Sequence, residues 1–463
     1  MKRREKSLNF TPAYPLMIAT VLTASCAGAA DGSAANGTAV PLPAIPGVPP
    51  SSLYTVKVNG QQVAVNDESR YDFHTAAFTM SGTVTVQVSV TGEAAAWTVR
   101  PLRHKITPTV SGKTITFSLS SPLKLVVQAG TSLPLALLAT PLETAVPKQG
   151  DDDVIYFGPG THEPGVIQPR TGQTIYLAPG ALVKGRIEAR DVQNVAVRGR
   201  GILDSSQYSI RKEKTTGILF YKSSHITIEG IGHRSGTWWQ VLFLLTDDAA
   251  VNHMNLFGKT VNTDGIDIDG VRRFVARNCF IRCEDDGFGW HALDAAANGE
   301  PVTEDCLAED CVIWNTAAGN GLRVGASMET GLFQNITFRN IDVLKHAGAA
   351  IYSDHSDWAW CKNIRFENFV DETRGPTIEI MIAKTRYSNN TGYKDERGHY
   401  DGLHFINVTS PGGRIKLHGY DENHLINNVS FQNCYLGNNL VDSMDDITTN
   451  AFVKNVSFNK HLD

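Results

Sequence analysis

The sequence predicts an all-β protein, a right-handed parallel β-helix preceded by a small β-sandwich. From about residue 150 onward, short motifs such as Q-N-I-T-F-R-N-I and K-N-I-R-F-E-N-F recur mostly every 20 to 37 residues. Repetition at this period indicates a solenoid, and β-branched strands with Asn turns and no helical periodicity favour a parallel β-helix. Residues 52 to 145 instead hold alternating strands separated by turn signals, which is typical of a small antiparallel sandwich.

The N-terminus has the layout of a secretory signal peptide, which we assign to residues 1–30. Four basic residues among the first six precede an apolar run from Pro15 to Ala24, and small residues follow to Ala30. The run is too short to span a bilayer. An alternative is a lipoprotein signal in which Cys26 carries a lipid anchor. Either way we expect a secreted or periplasmic protein, or an outer-membrane lipoprotein.

Three further segments follow. Residues 31–51 are small and rich in Pro and Gly, which predicts a linker. Residues 52–148 form the predicted sandwich, which contains no catalytic cluster. We expect it to pack against and cap the first coil, and a carbohydrate-binding role is the alternative. Residues 149–463 form the predicted parallel β-helix catalytic domain.

Composition excludes one class of partner and leaves the cysteines open. The 463 residues include 42 basic and 47 acidic side chains, a net charge of −5, and no basic stripe, so nucleic acid is not an expected partner. The six cysteines of the β-helix region could form disulfides in an oxidising compartment or be buried thiols in a side-chain ladder. The sequence contains no C-x-x-C pair, so a zinc site is not expected.

Residues 262 to 291 contain the predicted catalytic residues. The segment T-D-G-I-D-I aligns with D-D-G-F-G-W, so that Asp264 falls opposite Asp286 at an offset of 22 residues, about one coil. Equivalent positions of adjacent coils lie roughly 4.8 Å apart. The carboxylates of Asp264, Asp285 and Asp286 would therefore share one small patch, and such crowding raises at least one pKa. We interpret the patch as an active site.

The same repeat predicts which residues face a groove. Ile266, Phe288, Leu322, Ile351 and Ile378 each begin an inward-facing pair, so the next residue of each strand points outward. This outward column comprises Asp267, Gly289, Arg323, Tyr352, Glu379 and, if Ile415 continues the series, Lys416. It is predicted to bind an extended ligand, although an ordinary solvated face is the alternative.

Other candidates for substrate binding border this column. Asn320 continues the column of Asp264 and Asp286. The adjacent Trp238 and Trp239 cannot both point inward, and we assign Trp239 to the groove. Asp354 is also assigned to it. His291 and His355 could orient substrate or tune a carboxylate, against the alternative of satisfied surface histidines.

Glycoside hydrolysis suits three clustered aspartates. One carboxylic acid protonates the leaving oxygen, and another carboxylate activates water or attacks the sugar. If Asp264 and Asp286 jointly hold a water, the configuration inverts. Calcium binding, as in a β-helical lyase, is the main rival chemistry. We predict no cofactor and no metal.

The motif N-T-D-G-I-D-I followed by D-D-G resembles the polygalacturonase family, glycoside hydrolase family 28. The resemblance implies that Asp285 is the general acid and that Asp264 and Asp286 position the water. It is strong only over residues 262 to 290. The family's Gly-His-Gly is here Gly319-Asn320-Gly321, and its Arg-Ile-Lys is echoed by Arg414-Ile415-Lys416, several coils from Asp264.

A sandwich joined to a β-helix with three clustered aspartates is also similar to the dextranase and isopullulanase family, glycoside hydrolase family 49, which acts on neutral α-glucans. The two resemblances together imply an inverting hydrolase of a polysaccharide or oligosaccharide, either pectic or neutral. A metal-dependent polysaccharide lyase and a non-catalytic glycan-binding β-helix are the alternatives.

Overall fold

A computed structural model describes residues 37–92, 96–208, 215–236, 238–293, 295–300, 302–388 and 392–459. The predicted signal peptide, Cys26 and the first part of the predicted linker lie outside the described residues. Within the described ranges, no helix has the length and apolar character needed to cross a membrane.

The N-terminal part of the described chain forms two facing sheets around an apolar core. The first sheet contains Thr38–Pro41, Val65–Glu68, Phe73–Ser81, Trp97–Arg100, Lys124–Ala129 and Leu135–Pro141. The second contains Tyr54–Val58, Gln61–Val63, Val84–Val90, Thr109–Ser111 and Thr114–Leu119. Residues 38–41 were predicted to be linker. They form a strand instead, because the segment T-A-V-P pairs antiparallel with Phe73–Ser81.

The rest of the chain winds as a right-handed parallel β-helix, which confirms the predicted fold. Its coils stack strands in three ladders, which we number in the order in which a coil passes through them. Ladder 1 contains Val154–Phe157, Thr174–Leu177, Gln193–Gly199, Ser224–Glu229, Asp247–Asn252, Arg272–Arg277, Thr303–Glu309, Leu332–Arg339, Trp360–Glu367, His399–Ile406, Ile426–Gln432 and Val453–Asn459.

Ladders 2 and 3 run alongside it and both start from the paired strands Gly160–Ile167 and Ala181–Arg190. Ladder 2 continues through Ile202–Asp204, Gly232–Ser235, Asn255–Gly258, Phe280–Cys283, Val312–Asn315, Asp342–Lys345, Val370–Asp371, Thr409–Ser410 and Tyr435–Leu436, with Asn439–Leu440 paired to its last strand. Ladder 3 continues through Ile218–Tyr221, Val241–Leu244, Ile266–Asp269, Phe288–Ala292, Leu322–Met328, Ile351–His355, Ile378–Ile382, Ile415–His418 and Thr448–Thr449.

Helical structure is minor in the described ranges. A single α-helical turn, Ala295–Asn298, follows a ladder 3 strand, and 3-10 turns occupy Ser69–Tyr71, Leu102–His104 and Met444–Asp446. The connections between strands thus consist largely of turns and loops, as the repeat pattern predicts.

Side-chain ladders fill the interior and line the turns. Five phenylalanines on successive coils stack with ring centroids 4.9 to 5.7 Å apart: Phe338, Phe366, Phe405, Phe431 and Phe458. The six cysteines of this region are free, buried thiols, which decides against disulfides. Asparagines with positive φ bond to each other between coils, within ladder 1 strands as Asn363 does to Asn335, and at the bends that follow these strands as Asn407 does to Asn368.

The sandwich packs on the flank of the β-helix rather than over its end. Tyr71 and Phe73 of the sandwich share an apolar cluster with ladder 2 side chains such as Phe257, Phe280 and Trp314. The predicted capping of the first coil is therefore wrong. Ladder 2 presents a row of aromatic side chains outward at these coils, and the sandwich removes that row from water.

Candidate active site

The predicted register of ladder 3 is confirmed. Ile266 pairs with Phe288, Phe288 with Leu322, and Leu322 with Ile351 on successive coils. The pairing continues through Ile378 to Ile415. Asp264 and Asp286 each lie two residues before a paired residue, so the coils bring them side by side.

A track of glycines beside the aspartates lets the turns stack closely. The Gly265 N–H donates to the Asp286 carbonyl at 2.9 Å, and the Gly287 N–H donates to the Asn320 carbonyl at 3.1 Å. A Cβ on Gly265 would collide with the Gly287 carbonyl, and a Cβ on Gly287 would collide with the Gly321 carbonyl. Glycine is required here for close backbone approach.

The three predicted catalytic carboxyl groups lie together. One oxygen from each of Asp264, Asp285 and Asp286 lies within 4.8 Å of the others. Asp264 and Asp286 are buried, whereas Asp285 is partly exposed. The cluster therefore has two enclosed carboxyls and one that solvent or a ligand can reach.

Burial and crowding raise the pKa of all three groups. Burial, followed by the charges of Asp267, Asp285 and Asp286, raises the pKa of Asp264 well above its usual value. Burial raises the pKa of Asp286 to about 7, with Arg323 opposing and Asp285 adding to the shift. Burial also raises the pKa of Asp285, and Arg323 offsets part of that rise. The cluster therefore retains protons in the pH range where isolated carboxyls are ionised.

Side chains from the next coils hold Asp286 in place. Asn320 Nδ2 donates to Asp286 Oδ1 at 2.8 Å, while Asn320 Oδ1 accepts the Ala349 N–H at 2.9 Å. Arg323 Nη1 lies 3.5 Å from Asp286 Oδ2, while Arg323 Nε and Nη2 donate to Asp354 Oδ1 and Oδ2 at 3.0 and 2.7 Å. Asp286 is therefore fixed by one amide and one guanidinium.

A second polar group lies below the cluster. Asp267 and His291 are buried, and one donor or acceptor atom of each lies within 4.8 Å of an Asp264 oxygen. Burial raises the pKa of Asp267 well above its usual value, and burial together with Arg323 lowers the pKa of His291 to about 3. His291 is thus neutral and stacks on Trp239 with centroids 5.7 Å apart. The spacing and type of the donor atoms are such that a cation could be held either by Asp264, Asp285 and Asp286 or by Asp264, Asp267 and His291.

These residues line a cleft of about 920 Å³. Ten of the predicted site residues border it: Asp264, Asp285, Asp286, Trp239, His291, Asn320, Arg323, Tyr352, Asp354 and Glu379. Three do not border it, namely Asp267, His355 and Lys416. Asp267 lies in the predicted column, but it is fully buried next to Gly289.

His355 and Lys416 were predicted to line the groove and do not. His355 is buried, its Nε2 lies 2.8 Å from the Ala359 carbonyl, and its ring packs edge-on against Tyr400. It is therefore a structural residue of the turn between ladders 3 and 1. Lys416 pairs in register with Glu379, one coil beyond the cleft wall.

The cleft also contains residues that the sequence reasoning missed: Trp238, Asn262, Arg386, Tyr387 and Arg414. Asn262 Nδ2 lies 3.5 Å from Asp285 Oδ2, and its place in N-T-D-G was the available signal. Arg414 pairs with Glu379 at 2.6 Å, so the Arg of R-I-K reaches the cleft although the Lys does not. Arg386 and Tyr387 come from a long loop, whose path no repeat predicts.

Comparison with solved structures gives a similar architecture. Dex49A from Penicillium minioluteum has a TM-score of 0.68 at 14% identity, over 91% of this chain and 96% of that chain. An exopolygalacturonase from Thermotoga maritima has a TM-score of 0.47 at 16% identity, over 66% and 83%. A family 28 exopolygalacturonase from Yersinia enterocolitica has 0.45 at 10%, over 80% and 96%.

The chain shares the Dex49A fold. The likeness extends over the sandwich as well as the β-helix, because it covers nearly the whole of both chains. This agrees with the domain layout that the sequence resemblance implied. No protein-family model and no curated protein matches the sequence.

Proposed function

We propose that this protein is a glycoside hydrolase that cleaves a neutral polysaccharide or oligosaccharide with inversion. The observation that carries the proposal is the convergence of Asp264, Asp285 and Asp286 within 4.8 Å at the floor of a cleft. Hydrolysis of a glycosidic bond needs one protonated and one ionised carboxyl group. Carboxyls with raised pKa values beside a guanidinium can supply both forms near neutral pH.

Asp285 is the proposed general acid. It is the one member of the three that is partly exposed, so its proton can reach a glycosidic oxygen in the cleft. Burial raises its pKa, as it raises the pKa values of Asp264 and Asp286, so the choice of Asp285 as the acid rests on its exposure to the cleft. Asn262 Nδ2, 3.5 Å from Asp285 Oδ2, helps to orient it.

Asp264 and Asp286 are the proposed water holders. Both are buried side by side at the cleft floor, so one water can bridge them. Separations of about 6.5–9.5 Å are typical of an inverting acid and base with the water between them. Here the closest oxygens are within 4.8 Å, nearer to the separation of about 5–5.5 Å that is typical of a retaining pair, so inversion is proposed from the pairing of Asp264 and Asp286 around one water and not from the separation.

The charges of the cleft favour a neutral substrate over a uronate polymer. Five carboxyl groups and three arginines line it: Asp264, Asp285, Asp286, Asp354, Glu379, Arg323, Arg386 and Arg414. Arg323 is paired to Asp354, and Arg414 to Glu379. A uronate carboxylate would lie against an acidic surface on which Arg323 and Arg414 are already paired with carboxylates. Its desolvation would cost free energy that no unpaired strong partner offsets.

Pectic substrates are the alternative that the sequence left open. A pectic substrate is disfavoured because Lys416 lies outside the cleft and because carboxyl groups outnumber arginines among the residues that line it. The sequence resemblance to glycoside hydrolase family 49, which implies a neutral α-glucan, supports the same choice.

The test of this function is Asp285→Asn. We expect a loss of hydrolysis of about 10³-fold or more, because the general acid is removed, with circular dichroism and glycan binding unchanged. Asp445→Asn, an exposed carboxyl in a 3-10 turn, is the matched control and should retain full activity. Substantial hydrolysis by the Asp285→Asn protein would contradict the assignment.

Substrate class and stereochemistry are tested on a panel of dextran, pullulan and polygalacturonate. We expect reducing ends from a neutral polymer, no rise in absorbance from an unsaturated product, and an inverted anomer in the first NMR spectra. An absorbance rise would indicate a lyase instead, and release of the retained anomer would contradict the water-holding role.

Export is a separate proposal that rests on the N-terminal charge and hydropathy pattern alone. Expression of the full chain in a bacterium, followed by cell fractionation and N-terminal sequencing, tests it. We expect cleavage after one of the small residues up to Ala30, or lipidation at Cys26.

A further inference from the structure

Exposed aromatic side chains cluster at one place on the β-helix, outside the cleft. Among the described residues, three aromatic side chains are exposed by two-fifths or more: Trp360 at 43%, Tyr393 at 50% and Tyr420 at 41%. Trp360 and Tyr420 line a depression of about 490 Å³, and Tyr393 packs on Trp358, which also lines it. Grouped exposed aromatics on a soluble protein mark a binding surface.

The ring of Trp360 is fixed by its neighbours, and the residue is still 43% exposed. Trp360 begins a ladder 1 strand and pairs with His399 on the next coil, where the two rings stack with centroids 4.7 Å apart. Its register partner on the previous coil is Leu332, and Lys362 Nζ lies 4.9 Å from the ring centroid. The part of the ring that stays exposed borders the depression. A fixed ring loses little entropy on binding.

Polar groups surround these rings. His424 follows His399 with centroids 5.5 Å apart, and its Nδ1 lies 2.7 Å from Asp421 Oδ1. Charged groups of the loop side, Lys384, Asp395, Glu396 and Arg397, complete the lining. A flat apolar ring edged by hydrogen-bonding groups suits a pyranose, whose C–H face packs on the ring while its hydroxyls reach polar partners.

The same loop connects this depression to the cleft. Lys384 lines the depression, and the next three residues, Thr385 to Tyr387, line the cleft. Ser388 returns toward the depression, where its hydroxyl accepts from Arg397 at 2.8 Å. One loop therefore contributes lining residues to both sites, which places them next to each other.

We propose that the depression around Trp360 and Tyr420 is a second glycan-binding site, which takes pyranose rings of a neutral polymer whose other residues lie in the cleft. It would raise affinity for long chains by a second attachment, without adding to the chemistry. The glycan class rests on the proposed function, whereas the presence of a sugar site does not.

The test compares wild type with Trp360→Ala, Tyr420→Ala and Trp360→Phe. Retention in native gels containing dextran or pullulan measures binding without hydrolysis. We expect Trp360→Ala and Tyr420→Ala to weaken retention about 5- to 10-fold, and Trp360→Phe to restore most of it. Leu102→Ala, an exposed apolar residue of the sandwich, is the control and should match wild type.

Hydrolysis separates this site from the cleft. In Trp360→Ala, we expect kcat/KM on a tetrasaccharide to change less than about twofold. We expect kcat/KM on the polymer to fall by about the same factor as the retention of the protein in the gel. Unchanged retention of Trp360→Ala on both polymers would overturn the proposal, as would an equal loss on tetrasaccharide and polymer. If wild type binds but hydrolyses neither polymer, the proposed function fails, and loss of retention in Trp360→Ala would still support the sugar site.

Discussion

Asn320 shows how one side chain tunes the aspartate cluster. Its amide donates to Asp286 and lowers the pKa of that carboxyl, against the rise to about 7 that burial causes. The sequence placed Asn320 beside Asp286 because the glycines around it fall in the same track as Gly265 and Gly287. The hydrogen bond itself depends on side-chain geometry, which no spacing rule supplies.

We expect Asn320→Ala to move the acidic limb of the kcat/KM profile to higher pH. Without the amide donor, the ionised form of Asp286 loses a hydrogen bond and its pKa rises, by about half to one unit. Profiles between pH 4 and 9 measure the limb. Asn439→Ala, an exposed asparagine, should leave the limb in place, and an unshifted limb in Asn320→Ala would argue against Asp286 as a water holder.

The buried carboxyls also make stability depend on pH. A carboxyl whose pKa is higher in the folded than in the unfolded chain stabilises the fold at low pH, and this contribution is lost as pH rises through the folded value. Asp264, Asp267 and Asp286 all have raised pKa values, and that of Asp286 is about 7. The free energy of unfolding should therefore decline between about pH 4 and pH 8.

Asp267→Asn should reduce that decline. The amide cannot ionise and can donate toward Asp264, so we expect the variant to be more stable than wild type at pH 8, by about 1 kcal/mol or more, and similar at pH 4. Urea titrations at both pH values measure the difference. A variant with the same pH dependence as wild type would show that Asp267 does not hold a proton in the folded chain.

At the scale of strands and turns, the glycine track decides how closely coils stack beside the site. We expect Gly287→Ala to lower the free energy of unfolding by about 1–3 kcal/mol, because its Cβ would collide with the Gly321 carbonyl and contact Ile313. Gly158→Ala is the control, since its Cβ would meet only a Tyr156 atom at 3.6 Å. Equal stability of the two variants in urea would contradict the packing argument.

Regular repetition is what made these elements predictable. The inward pairs that begin at Ile266, Phe288 and Leu322 fixed the register, and the observed pairing follows it residue by residue. Prediction failed where a residue's surroundings come from another element. Asp267 belongs to the outward column and yet is buried, and His355 is packed against Tyr400 of a ladder 1 strand.

At the scale of the whole molecule, the sandwich supports the turn that carries Asp285 through Arg282. This fully buried side chain donates to the Tyr71 carbonyl at 3.0 Å, to Asp72 at 2.6 Å, and to Glu284 at 2.8 Å. Glu284 directly precedes Asp285. The sequence predicted both domains but not this contact, because the flank on which one domain packs is not encoded in the period of the other.

Arg282→Met should destabilise the protein and reduce its activity together. Removing one partner of a buried charge network leaves the other charges and carbonyls unsatisfied, at a cost of about 3–5 kcal/mol. Calorimetry and kcat measure the two effects. Arg272→Met is the matched control, because its ion pair with Asp247 is exposed and worth about 1 kcal/mol or less. A stable Arg282→Met protein with full kcat would show that the sandwich does not position the site.

The stacked rings that run from Phe338 to Phe458 have a consequence for how such a chain can change its length. Each inner ring of the row stacks on the ring of the coil before it and on the ring of the coil after it, at about one strand spacing. Removing part of a coil would therefore leave a cavity against both neighbouring coils. A whole coil, in contrast, carries its own ring and its own asparagine rungs. This cylinder can therefore grow or shorten in complete turns, and partial ones should not survive.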